Sequence, residues 1–210
     1  GGGANGDELA WAVTKFLGGR VYVVDVGGCP GGYSEATQKT VLDVAEKYKV
    51  GLMQIEENFG KGAFAAILTP NLKKRLPDCG IEEIWESGQK ELRIIDVLEP
   101  MLSSHLLVMH TDIIARDIQL AAERSLEKRK TYSLFYQMAR ITRDRGSLIH
   151  DDRLDALAGA CRFWSQHLKL NEERTKAQAQ QAAYQAMISD PLGNGRPLRN
   201  YQELMGGLRN

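Results

Sequence analysis

The sequence predicts an α/β chain built on a mixed sheet flanked by helices. Three observations predict it. Two apolar runs, Trp11 to Leu17 and Arg20 to Val26, are joined by Gly18-Gly19, a two-residue hairpin signal. Beyond them, stretches of helical periodicity alternate with short apolar runs. Near the far end of the core, Leu154, Leu157, Cys161, Trp164 and Leu168 step by three and four, which is the apolar stripe of a packed helix.

Taken in order, GGGANGDE at the amino end reads as a polar turn, and the hairpin follows it. After GGCPGG a helix is expected from about Ser34 to Lys49, with Val41, Val44, Ala45 and Tyr48 on its buried face and Ser34 as N-cap. Val50 to Ile55 reads as a short buried strand that ends in Glu56-Glu57-Asn58. Gly60 and Gly62 punctuate, and a second helix is expected from Ala63 to Arg75. Ile81 to Trp85 reads as a strand, and Lys90 to Leu102 as a helix whose end Pro100 disturbs. Leu106 to Met109 is a further short strand, Ile113 to Lys128 a charged helix, and the last core helix begins near His150. Residues 1–170 make one domain on this reading. Residues 171–210, where NEERTKAQAQQAAYQAM gives way to a Gly-, Pro- and Asn-rich end, form a C-terminal appendage, flexible or partner-binding.

Composition narrows the classes. At 43% hydrophobic and 26% charged residues the chain is ordinary for a globular protein. It has no run of about 18 apolar residues that could span a bilayer, and no charged-then-apolar leader opens it. Cys29, Cys79 and Cys161 are odd in number and far apart, so neither a disulfide framework nor a zinc spacing is expected, and all three read as small buried hydrophobes. With 27 basic and 27 acidic residues the formal charge is zero, so any grip on nucleic acid must come from an uneven distribution of charge.

Two carboxylate clusters are candidates for chemistry. Glu56 is delivered to the carboxyl end of an apolar strand just before a glycine-rich loop, where open α/β sheets bind ligands. Taken alone, Glu56 is better explained as a solvated strand-end carboxylate. In HDDRLDAL, Asp151, Asp152 and Asp155 crowd the start of a helix. Asp151 could cap that helix and all three suit its dipole, yet Asp152 and Asp155 are three residues apart and able to share a cation. Together the clusters suggest an oxygen-ligand site for Mg²⁺ or Mn²⁺, of the kind that clamps a phosphodiester between two ions. Lys90, Arg93, Arg140, Arg143 and Arg145 are candidate phosphate contacts, with a solvated charged surface as the plainer explanation. Asp25, ending VYVVD, is a weaker ligand candidate, and turn formation before Gly27-Gly28 suits it better. His150 is a candidate for a supporting or capping role beside the aspartates. No phosphate-binding loop of the form GxxxxGK[ST] is present, so ATP hydrolysis is not expected of this chain.

The stretches GGGANGDE, VYVVDVGGCPGGY, IEENFGKGAF, ESGQKELRIIDVLEP, YSLFYQMARITRDRG and HDDRLDALAGA resemble the nuclease half of the large terminase of short-tailed, podovirus-type phages. They span roughly residues 1–165. The resemblance implies a ribonuclease H-like nuclease domain over residues 1–170, with Glu56 and Asp152 as metal-binding carboxylates, Asp155 and Asp151 in support, and Asp7 as a further acidic position near two Mg²⁺ or Mn²⁺ ions. It also implies an endonuclease that cuts concatemeric double-stranded phage DNA during genome packaging in the host cytoplasm. Its partners would be the portal or procapsid, the motor ATPase domain and the small terminase subunit. In such a fold the first strand is central and carries the first carboxylate. Because the sequence opens at the turn after it, that strand is expected to be missing from this chain, leaving two half-sheets with unpaired edges. Two other readings compete. One is a DNA- or portal-docking module without catalysis. The other is a junction resolvase, since DxxDAL also resembles resolvases of the ribonuclease H superfamily.

Overall fold

Nine mostly half-buried residues, Leu9–Leu17, form β1, and Arg20–Cys29 form β2. The structure, a computed structural model, describes residues 8–57 and 62–189. Gly18 and Gly19 join the two strands with φ of 57° and 78°, the left-handed pair that a tight hairpin needs and that side chains resist. The strands pair antiparallel from Leu17↔Arg20 to Leu9↔Cys29, so the ladder runs on through Gly27 and Gly28, beyond the expected end at Val26.

The expected turn before Gly27-Gly28 is therefore absent, and the reason is a β-bulge. Val13 pairs with Asp25 but Thr14 pairs with Val23, leaving Val24 as the extra residue. Val21 and Val23 lie in one core, and the bulge lets Val26 rejoin them there. Asp25 is turned to the opposite face of the sheet, fully buried, with Arg116 Nη1 donating to its Oδ2 at 2.6 Å. Burial pushes the Asp25 carboxyl above its usual range, against the pull of Arg116. It is bound up with Arg116 and stands in neither carboxylate cluster.

The remaining elements are α1 (Glu35–Tyr48), β3 (Leu52–Glu56), α2 (Ala63–Arg75), β4 (Gly80–Ile84), α3 (Lys90–Ser103), β5 (Leu107–Met109), α4 (Asp112–Ala122), a 3-10 turn (Arg129–Tyr132), α5 (Leu134–Arg140) and α6 (Asp152–Ser189). Ser34 caps α1 by accepting from the Thr37 amide. Two expectations need correction. The helix begun near Ile113 stops at Ala122 rather than Lys128. There Arg124 leaves the helical path, its guanidinium bound to Glu8 and stacked 4.4 Å from the Tyr132 ring. In addition α5, started by Ser133 accepting from the Tyr136 amide, was not anticipated.

Among the described residues the strands form two sheets. One has the order β1-β2-β5, with β5 parallel to β2, and the other is the parallel pair β3-β4. The expectation of two half-sheets thus matches the strand pairing, and β1 and β3 each keep one edge without a strand partner among these residues. Helices cover the strands in two cores. Val21, Val23 and Val26 pack with Ile94, Leu98 and Met101 of α3 and with Leu154, Leu157 and Cys161 of α6. Leu9 of β1 and Ile55 of β3 share the other core with Val41 and Leu42 of α1 and Leu68 and Leu72 of α2. All three cysteines are free thiols, two buried and Cys29 half-buried. Burial alone pushes the Cys161 thiol up to about 12, which keeps it an inert core residue.

The chain separates into two compact units, residues 1–165 and 166–210. The polar stretch after residue 170 is helical as far as Ser189. The proposed appendage beyond that point, and Asp7, lie outside the described residues.

Candidate functional site

Three elements bring the two carboxylate clusters together. The apolar strand β3 carries Glu56 at its carboxyl end, α6 opens with Asp152, and α3 opens with Lys90. Lys90 Nζ lies 2.7 Å from Asp151 Oδ1 and 3.4 Å from Asp155 Oδ2. Arg93, one turn further along α3, donates through Nη2 to both oxygens of Asp155 at 3.1 Å. Its Nε lies 3.5 Å from Glu86, which Arg162 also engages.

Glu56 stands within electrostatic reach of Asp155 and of the two basic residues of α3. Burial and then the neighbouring charge of Asp155 push its carboxyl above the usual range, while Arg93 and Lys90 pull it back. Burial works to lower Lys90, but Asp155, Asp151 and Asp152 outweigh it and raise the ammonium above its usual value. Arg93 is raised in the same way by Asp155 and Glu86 against burial. Lys90 and Arg93, two of the candidate phosphate contacts, are thus turned inward onto carboxylates. The other three lie apart from them. Arg143 pairs on the surface with Asp96 and Glu99 at 3.1 Å each, Arg140 lies 5.9 Å from the Tyr136 ring, and Arg145 is exposed.

The start of α6 settles what its aspartates do locally. The Leu154 amide, one of the first donors of the helix, is met by Gln137 Oε1 at 3.0 Å. Asp151 instead turns its carboxylate to Lys90, and Asp152 Oδ2 accepts from the Glu8 amide at 3.1 Å. His150 stacks on Tyr132 with ring centroids 4.0 Å apart.

Below this row lies a buried charge network that the sequence reading did not single out. Arg153 is fully buried and donates to both Glu8 oxygens (Nε to Oε2 at 2.9 Å, Nη2 to Oε1 at 3.1 Å) and to Asp117 Oδ1 at 3.0 Å. Asp117 also accepts from the Ser133 hydroxyl at 2.6 Å and from the Leu134 amide at 2.9 Å. One signal was available. Arg153 precedes Leu157 and Cys161 by four and eight residues, so a cation stands on the apolar stripe of α6 and demands a buried counter-charge.

The donor chemistry suits a hard divalent cation, since Glu56, Asp151, Asp152 and Asp155 offer only carboxylate oxygens. Among the described residues, no group of three potential ligands is close enough to hold an ion by itself.

The sequence profile described as "Terminase Bacteriophage T7, Ribonuclease H-like domain" matches residues 1–107. The chain belongs to this terminase family. It is also 37% identical over 190 residues to "Terminase, large subunit" of Enterobacteria phage T3, a match that covers 90% of this chain and 32% of that protein. The terminase chain therefore spans about a third of the length of the relative it matches. The profile covers the hairpin, Glu56, Lys90 and Arg93, while the aspartates of α6 fall within the terminase stretch beyond it.

Proposed function

We propose that this terminase chain is a metal-dependent endonuclease that cuts concatemeric double-stranded DNA during phage genome packaging. The observation that carries the reading is that Glu56, at the carboxyl end of β3, lies within electrostatic reach of Asp155, almost a hundred residues later at the head of α6. Family membership supports it. Glu56, Asp152 and Asp155 would hold the cation, with Asp151 beside them and Asp7 as a further ligand. Mg²⁺ or Mn²⁺ is the fitting metal, and two ions are proposed. When bound, the cation supplies positive charge to the phosphodiester oxygens and acidifies the attacking water.

The chain's own residues do the rest. Lys90 and Arg93 balance the carboxylates in the structure described. Once a divalent ion takes those oxygens, their head groups are freed to meet the DNA phosphates flanking the scissile bond. Arg140, Arg143 and Arg145 are proposed as outer phosphate contacts. The setting is the host cytoplasm, with the portal or procapsid, the motor ATPase domain and the small terminase subunit as partners. No helix among the described residues is long and apolar enough to cross a membrane.

The test is Mn²⁺-dependent nicking of supercoiled plasmid by this terminase chain. Glu56→Gln and Asp152→Asn variants of it should lose at least about a hundredfold in rate, since even the outer partners of metal ligands are worth ten- to a hundredfold. Full-rate cleavage by Glu56→Gln would move the site elsewhere. Preference for branched over linear DNA would favour a resolvase instead.

A further inference from the structure

Asp152 is oriented by a ring of contacts that passes through the protein interior. Its Oδ2 accepts from the Glu8 amide, the Glu8 carboxylate is gripped by the Arg153 fork, and Arg153 is joined to Asp152 by one peptide bond. We propose that Arg153 and Glu8 are a positioning pair that aims Asp152 for cation binding. The inference rests on the nuclease reading above and adds residues that touch neither the cation nor DNA.

Three features set this ring apart from ordinary core packing. The first is its completeness, because Glu8, Asp117 and Arg153 are all buried and each is answered. Arg153 meets Glu8 and Asp117, Arg124 also binds Glu8, and Asp117 is anchored by Ser133 and the Leu134 amide. The second is that an apolar side chain at 153 would continue the Leu157 and Cys161 stripe, and a buried ion pair is rarely more stabilising than well-packed hydrophobic groups. What an apolar residue could not do is grip Glu8 from two directions and so fix where its amide points. The third feature is Gly28 of β2. A Cβ built there would lie 2.2 Å from Glu8 Oε2, so the sheet carries no side chain at the place where the Glu8 carboxylate crosses it. Ligating carboxylates depend on such outer partners for orientation. Here one partner is a backbone N–H, whose direction can be controlled only by holding the residue that bears it.

The experiment measures Mn²⁺ binding directly, by the loss of the free-ion electron paramagnetic resonance signal, with no DNA present. Arg153→Lys keeps the charge and discards the two-pronged geometry. If Arg153 positions Asp152, this variant folds with the parent's near-ultraviolet circular dichroism and binds Mn²⁺ roughly ten- to a hundredfold more weakly. Should the variant fail to fold, Glu8→Gln, which keeps size and one acceptor for the fork, makes the same comparison. A folded variant with the parent's Mn²⁺ affinity but a lower melting temperature would overturn the proposal, because that is the signature of a purely structural role. Glu56→Gln and Asp152→Asn run alongside to separate the two levels. If they weaken Mn²⁺ binding and Arg153→Lys does not, only the positioning role falls. A parent that binds no Mn²⁺, or binds it regardless of Glu56 and Asp152, overturns the nuclease site and the positioning role together.

Discussion

Taking a guanidinium out of water costs several kcal/mol unless each donor meets an oxygen, so Arg153 is held inside by its partners rather than by its own burial. Asp25 is the opposite case, a carboxylate that is buried more than its partner compensates. Its folded-state carboxyl is raised above the usual 3.8 of an aspartate, chiefly by burial. For an acid shifted in this direction the folded state prefers the proton. The resulting destabilisation is therefore absent well below pH 3.8, grows as pH rises past that unfolded value, and is complete above the folded one. Asp25→Asn should raise the melting temperature at pH 7, and the gain should shrink toward pH 4. A gain that does not vary with pH would refute this account. At this scale the sequence told us which residue types mattered more clearly than what they do. The places of Glu56 at a strand end and of the aspartates at a helix start were legible in the sequence. The inward turn of Lys90 and Arg93 was not, because a basic residue that opens a helix looks the same whether its partner is solvent or a distant carboxylate.

Among the elements, those legible in sequence were the ones whose ends carry their own chemistry. Gly18-Gly19 and Ser34 mark their boundaries with residues chosen for a local conformation, and the structure keeps both. The bulge at Val24 has no such marker. It is dictated by where Val26 must pack, and only tertiary contacts reveal that. The short helix α5 escaped for a related reason, since seven residues are too few to show a period. One helix end remains unoptimised. Lys49 closes α1 in the left-handed region at φ 51°, donating its amide to Ala45 and Glu46. Lys49→Gly should stabilise the fold by about 0.5–1 kcal/mol, the left-handed strain less the entropy of a freer unfolded chain, as read by urea denaturation. A loss of stability would show that the lysine side chain contributes more than its backbone costs.

For the molecule as a whole, the telling feature is a core shared by strands that do not pair. Leu9 of β1 and Ile55 of β3 pack into one cluster beneath α1 and α2, yet the strands belong to different sheets among the described residues. A strand bridging the two would satisfy a row of backbone donors and acceptors and tie the site-bearing β3 to the hairpin. The bare backbone of Gly28 under the Glu8 carboxylate has a consequence for inheritance. The two positions should behave as one locus. Gly28→Ala should lower the melting temperature when introduced alone, and Glu8→Asp, an acid one methylene shorter that makes room for the new methyl group, should recover part of the loss.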